Sequence, residues 1–228
     1  MKTSFRLSVI YSCIFYIVLI CLPLNSHATS SVQGSGIIKT EERILQPFHS
    51  IHMDGSFHIH IICQKDYHIE IKADDNLLPH IITKIGNDTL HVYSDASFVS
   101  ANLIGINIFM DDSLIALNAA GTNQIRISDM ESKTFTIEAS GTADIFLSGK
   151  TGKFAARLAG VQNMDAFGLS SEICTVLISG SSSASVQVSE ELEGTINGFG
   201  NIVYCGNPRN IRRKILGIGK IIRYERCD

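Results

Sequence analysis

His58 and His60 alternate with Phe57, Ile59 and Ile61. On one extended strand, both imidazoles then point to the same side, away from the apolar residues. A third histidine or a carboxylate from a neighbouring strand would complete a tetrahedral zinc site. His68 and Glu70 alternate with Ile69 and Ile71 in the same way, and His49 and His52 are close by in sequence. No third ligand is fixed by the spacing, so surface histidines are the expectation, and His58 and His60 are assigned no metal and no cofactor.

Carboxylates give little more. Cleavage of a glycosidic bond needs two of them flanking the scissile bond. Asp74-Asp75 and Asp111-Asp112 are the only Asp pairs, and the first falls in an expected turn. Gly149-Lys150-Thr151 imitates the end of a phosphate-binding loop, but Asp144 stands where the earlier glycine is required. The run Ser181 to Ser183 has no local histidine or acid to activate it and reads as a flexible corner. Asn87-Asp88-Thr89 fits a glycosylation sequon. No catalytic residue is assigned, and the chain is expected not to be an enzyme.

The elements that carry these residues follow from a repeat. Gly121, Gly141, Gly160, Gly180, Gly198 and Gly217 recur 18 to 20 residues apart. Six places before each glycine come Ile115, Phe135, Phe154, Cys174, Leu192 and Ile211; two before come Ala119, Ala139, Leu158, Ile178, Ile196 and Ile215. Four places after come Ile125, Ile145, Met164, Ala184, Ile202 and Ile221. The period of two within each copy marks a strand with one buried face on either side of a glycine corner. A copy this short has no room for a crossover helix, so the expected architecture is all-β: a parallel β-helix, a solenoid with coils of about 19 residues. Arg213 and Arg223 fall in inward columns of the last copy and mark its polar end. The same grammar is looser earlier in the chain: Gly55 opens a coil, while Tyr67 to Ile71, Leu90 to Val92 and Ile104 to Met110 alternate as strands. One β-helix domain is expected over 29–228, irregular over 34–112 and regular over 113–224.

Lys2 and Arg6, an apolar run from Leu7 to Leu22, Pro23 and Ser26-His27-Ala28 form the layout of a secretory signal peptide over 1–28, cleaved after Ala28. Retention as a membrane anchor is the alternative. No later apolar run is long enough to span a bilayer as a helix. Export through this signal places the chain in the periplasm, on the outer surface or in the medium. The net charge of −3 argues against a nucleic-acid partner. Arg209 to Arg226 holds seven basic residues against Glu225. They suit either anionic envelope polymers and lipid head groups or a solvated cap that prevents edge pairing, and the cap is the simpler reading. The exported chain keeps Cys63, Cys174, Cys205 and Cys227; Cys174 belongs to an inward column, and Cys205 with Cys227 can bridge near the end of the stack.

Several segments together resemble the GIN-domain family, the auto-transporter adhesin head domain. They are Gly34-Ser35-Gly36, Phe48-x-x-Ile51 ahead of Gly55, Ala73-Asp74-Asp75-Asn76-Leu77-Leu78, the corners Ala139-Ser140-Gly141 and Ile178-Ser179-Gly180, and Tyr204-Cys205-Gly206-Asn207-Pro208. The similarity runs from about residue 34 to 224. It departs from the usual Ser-Gly corner at Ala120-Gly121, Ala159-Gly160, Asn197-Gly198 and Leu216-Gly217. The resemblance implies an exported bacterial β-helix without catalytic residues. The expected function is a binding or adhesion module for an envelope or surface ligand, glycan or protein. A polysaccharide-active enzyme and a metal-binding envelope protein are the alternatives.

Overall fold

The computed structural model describes residues 31–225. The signal segment expected over 1–28, and Arg226 and Cys227, lie outside the described residues. The strands are β1 (Ser31–Gln33), β2 (Ile38–Ile44), β3 (Ser50–Ile62), β4 (His68–Asp74), β5 (Ile81–Gly86), β6 (Thr89–Ser94), β7 (Ser97–Val99), β8 (Gly105–Phe109), β9 (Ala116–Ile178), β10 (Ser181–Ile196), β11 (Phe199–Cys205), β12 (Asn210–Ile215) and β13 (Ile218–Arg223). A short 3₁₀ turn over Leu78–His80 joins β4 to β5. The protein is all-β, with one long 11-stranded sheet and a small two-stranded one.

The glycine copies stack in register. β3 runs parallel to the start of β9 with Gly55 opposite Gly121, and β10 runs parallel to the end of β9 with Ala184 opposite Met164. A Cβ added to Gly121 would lie 2.0 Å from the carbonyl oxygen of Gly55, and one on Gly141 would lie 2.3 Å from that of Gly121. The same contact recurs at Gly160, Gly180, Gly198 and Gly217, each against the glycine one copy earlier. Gly121, Gly141 and Gly160 have positive φ, whereas the later three have none in the left-handed range. What all six share is the want of space beside the preceding corner, so tolerance of positive φ is the reason for glycine at only some of them.

Between the corners the expected columns are buried. Phe135, Phe154, Cys174 and Leu192 face the core, as do Ile125, Ile145, Met164, Ala184, Ile202 and Ile221. Phe135 and Phe154, in one column of successive copies, stack with centroids 6.0 Å apart. Exposed Ile115 departs from its column, and Leu114 is buried in its stead as the chain enters β9. Just past the corners, buried polar side chains serve the backbone. Asn123 Oδ1 accepts from Phe57 N and its Nδ2 donates to Ala120 O. Gln162 Nε2 donates to Gly141 O, and Gln162 N donates to Ser182 Oγ. Ser182 therefore belongs to an ordered strand with a buried side chain, where the serine run alone suggested flexibility.

The first end of the long sheet departs from parallel stacking. β2 pairs antiparallel with β4, β4 with β8, and β5 with β6. Here the two segments Gly34-Ser35-Gly36 and Asp74-Asp75-Asn76 meet. Asp74 accepts from Gly36 N at 3.0 Å, Asn102 Nδ2 at 2.9 Å and Ser100 Oγ. Ser35 Oγ donates to Asp75, Ser35 N donates to Asn76 Oδ1, and Lys39 pairs with Asp75 at 3.1 Å. These bonds, that from Ser100 foremost, hold the Asp74 carboxyl below its ordinary pKa. Bonds from Ser35 and Lys39 do the same for Asp75.

The last end is open. Among the described residues, β12 pairs only with β10, and β13 only with β11. Gly194 leaves room for Ile221, whose Cδ1 would lie 2.9 Å from a Cβ at that position, and Ile221 closes the core there. Arg213 does not enter the core: its guanidinium lies over the Tyr204 ring and donates to the Tyr204 hydroxyl at 2.9 Å. Arg223, Ile211 and Ile215 also depart from their inward columns and are exposed, since no strand among the described residues covers them.

Candidate functional site

His58 and His60 do point outward from β3 while Phe57, Ile59 and Ile61 are buried. Their lateral neighbours are Gly105 and Asn107 on β8, and Gln124 and Arg126 on β9. His68 and Glu70 lie one strand beyond, with Glu70 opposite Asn107 and His68 opposite Phe109. Two strand spacings, roughly 10 Å, separate Glu70 from His60, too far to share one ion. Instead Asn107 Nδ2 donates to Glu70 at 3.1 Å, and the His68 ring stacks on Phe109 at 4.1 Å. His60 Nε2 sits 2.9 Å from Ser128 Oγ, and its pKa is lowered by burial and by the Arg126 charge beside it. The guanidinium of Arg126 covers the Phe146 ring at 4.9 Å. His49 contacts Asp88, and His52 faces His91 across a 5.6 Å ring separation. The described residues hold no group of three or more metal-ligating side chains with suitable geometry.

The carboxylate pairs are occupied as well. Asp74 and Asp75 tie down the first end, and Asp111 accepts from Ser113 N and Oγ. Burial pushes the free thiols of Cys63 and Cys174 up to about 12, which leaves both protonated and unreactive at neutral pH. Cys205 is disulfide-bonded. The expected Cys205–Cys227 pairing involves a residue outside those described.

A broad hollow lies elsewhere, on the outer face of the strands that precede the corners. A hollow of about 580 Å³ runs over the copies from His52 to Ser179. Its floor is Ala120, Ser140, Ala159 and Ser179, the residue just before each glycine; its wall is Asn118, Glu138, Arg157 and Leu177, three before. Small floor side chains beside longer wall side chains make the depression. Arg157 Nη1 donates to Glu138 Oε1 at 2.8 Å, crossing from one copy to the next. Neither Ser140 nor Ser179 hydrogen-bonds a histidine or carboxylate among the described residues. The hollow thus offers an imidazole, an amide, an ion pair and hydroxyls over a largely apolar lining, suited to a ligand that presents hydroxyls or amides together with apolar faces. The wall column did not stand out in the sequence, whereas the floor column did, as the corner residues Ala120, Ser140, Ala159 and Ser179. The signal was in that floor: four corners in a row are preceded by only Ala or Ser.

A long, glycine-cornered sheet with a shallow surface hollow defines a class of all-β scaffold. The chain belongs to the family described as "Putative auto-transporter adhesin, head GIN domain", whose pattern it matches over residues 47–208. Its fold is similar to the crystal structure of a putative adhesin from Bacteroides fragilis, with 19% identity and a TM-score of 0.68, over 85% of this chain and 100% of that one. A putative adhesin from Parabacteroides merdae is similar at 21% identity and a TM-score of 0.52, over 86% of this chain and 99% of that one. A putative lipid binding protein from Parabacteroides distasonis is similar at 17% identity and a TM-score of 0.53, over 86% and 100%. No curated protein matches the chain.

Proposed function

We propose that the chain is an exported, non-enzymatic binding module of the cell envelope or its surface, wound as a parallel β-helix, that holds a surface glycan along the hollow between His52 and Ser179. The glycine-on-glycine stacking supports the β-helix, because each copy sits one strand spacing above the last. The family's adhesin description supports a binding role. The observation that carries the ligand class is the wall formed by Asn118, Glu138 and Arg157 over a floor of Ala and Ser. Planar charged and amide groups fix hydroxyls in both donor and acceptor senses, and the rigid strands spare the ordering cost that a loop would incur. The signal segment over 1–28 would deliver the module, and residues 29–228 would act as one body.

The test is titration of the mature chain with purified envelope polysaccharides in a calorimeter or on a biosensor surface. Wild type binds, and Glu138→Ala combined with Arg157→Ala weakens binding about 10-fold or more, since each removes a charge-assisted hydrogen bond. Absence of any retained polysaccharide at physiological salt, or an unchanged affinity in the double variant, rejects the hollow as the glycan site.

A further inference from the structure

The last coil combines open backbone edges, exposed apolar side chains and a dense run of cations. β12 and β13 present unpaired backbone edges, and every residue of β12 is exposed. Leu216 and Ile218 flank the last corner glycine at 67% and 69% exposure, with Ile215 and Ile222 also exposed nearby. Between them stand Arg209, Arg212, Arg213, Lys214, Lys220 and Arg223, against the single acid Glu225. Arg209 pairs with Glu190, Arg212 with Glu191, and Arg213 with the Tyr204 ring. Lys214, Lys220 and Arg223 have no ion pair among the described residues.

A cap whose only task is to keep edges apart needs the cations and not the apolar residues. Two copies meeting by this end would set Lys214, Lys220 and Arg223, which have no ion pair among the described residues, against the same three, so the charge opposes a symmetric pair. A soluble polyanion would satisfy the cations and leave the Leu and Ile side chains in water. An anionic bilayer satisfies both: its phosphates meet the cations and the outward N–H groups of the open edge, and the interfacial region takes the apolar side chains. The backbone edge itself stays at head-group depth, because unpaired peptide groups cannot enter hydrocarbon.

We propose that the open last coil is an adsorption surface for an anionic phospholipid bilayer, with Lys214, Lys220 and Arg223 at the phosphates and Leu216, Ile218 and Ile222 among the head groups. This rests on the last coil alone and is independent of the glycan reading of the hollow.

Co-sedimentation of the mature chain with vesicles tests it. The chain pellets with vesicles of phosphatidylcholine and phosphatidylglycerol in equal parts, pellets far less with phosphatidylcholine alone, and is released as salt rises. Lys214→Glu, Lys220→Glu and Arg223→Glu together weaken partitioning about 100-fold. Leu216→Ser with Ile218→Ser removes the part of the binding that salt does not. Thermal melts check that these exposed changes leave the fold intact, and Lys220→Glu alone carries the charge arm if the triple variant does not fold. Equal pelleting with neutral vesicles, no pelleting with either, or unchanged binding in the charge variants overturns the proposal. So does sedimentation without vesicles that is abolished by the charge variants, which would assign the coil to a second copy of the chain.

Discussion

At the first end of the strand stack, Asp74 alone gathers donors from Gly36, Ser100 and Asn102, and antiparallel strands turn the outermost edges. At the last end the strands stay parallel to their neighbours, and closure of the core falls to Ile221 and to Arg213 lying over Tyr204. One end is closed by a network that shares few residues with the repeat; the other, among the described residues, keeps the repeat's own parallel pairing. The difference teaches that the same core can be bounded by unlike means: a hydrogen-bonded clasp at one end, and single side chains laid over the core at the other.

The sharpest way to probe this contrast is to crowd a corner in the middle of the stack and another at its end. Gly160→Ala puts a Cβ 2.2 Å from Gly141 O in a residue with φ of +111°, with copies packed on both sides. We expect a loss of about 4 kcal/mol or more in urea unfolding, or failure to fold. Gly217→Ala meets Gly198 O at 1.9 Å, yet the last coil can lift away, so about 1–2 kcal/mol is expected. Equal costs would mean that the last coil is held as firmly as the middle.

Next in size is the first end. The Asp74 pKa is lowered on folding, so its stabilisation is full above the ordinary carboxylate value of 3.8 and is lost as pH falls below it. Asp74→Asn should lower the thermal midpoint at neutral pH and flatten its decline in acid, as followed by circular dichroism from pH 7 downward. An unchanged acid limb would place the sensitivity at Asp75 or Asp111 instead. The smallest effect belongs to the last end. Cys205 is disulfide-bonded while Cys63 and Cys174 are free, and peptide mapping without reductant should recover Cys205 paired with Cys227. Reduction should speed hydrogen exchange in β12 and β13 while leaving β9 unaffected.

The regular part of the fold was readable because its constraint is local and repeated. Phe135, Phe154, Cys174 and Leu192 announce a buried column at every copy, and the corner glycines mark its phase. The antiparallel first end was not, because pairing between Glu42 and Glu70 or between Ile82 and Tyr93 leaves no period in the sequence. The resemblance drew attention to Gly34-Ser35-Gly36 and to Ala73 through Leu78 as separate segments; only the fold shows that one clasps the other. The histidines illustrate the converse. Their outward phase followed from alternation, but the strand carrying Asn107 between His60 and Glu70 did not. The hollow was open to inspection through its Ala and Ser floor, yet a depression is a property of neighbouring columns jointly, which a reading of single columns misses.

The seating of each corner against the one before it also shows how the gene can change length. One or two residues gained or lost within a copy are absorbed away from the corner, as the spacings of 18 to 20 residues and the register shifts between Val186 and Glu191 show, and every later glycine keeps its seat. A whole copy gained or lost would likewise leave every seat filled. Duplication or deletion in such units is therefore a tolerated route. Each added unit would lengthen the hollow by one floor residue and one wall residue, tuning the reach of the binding surface without redesigning it.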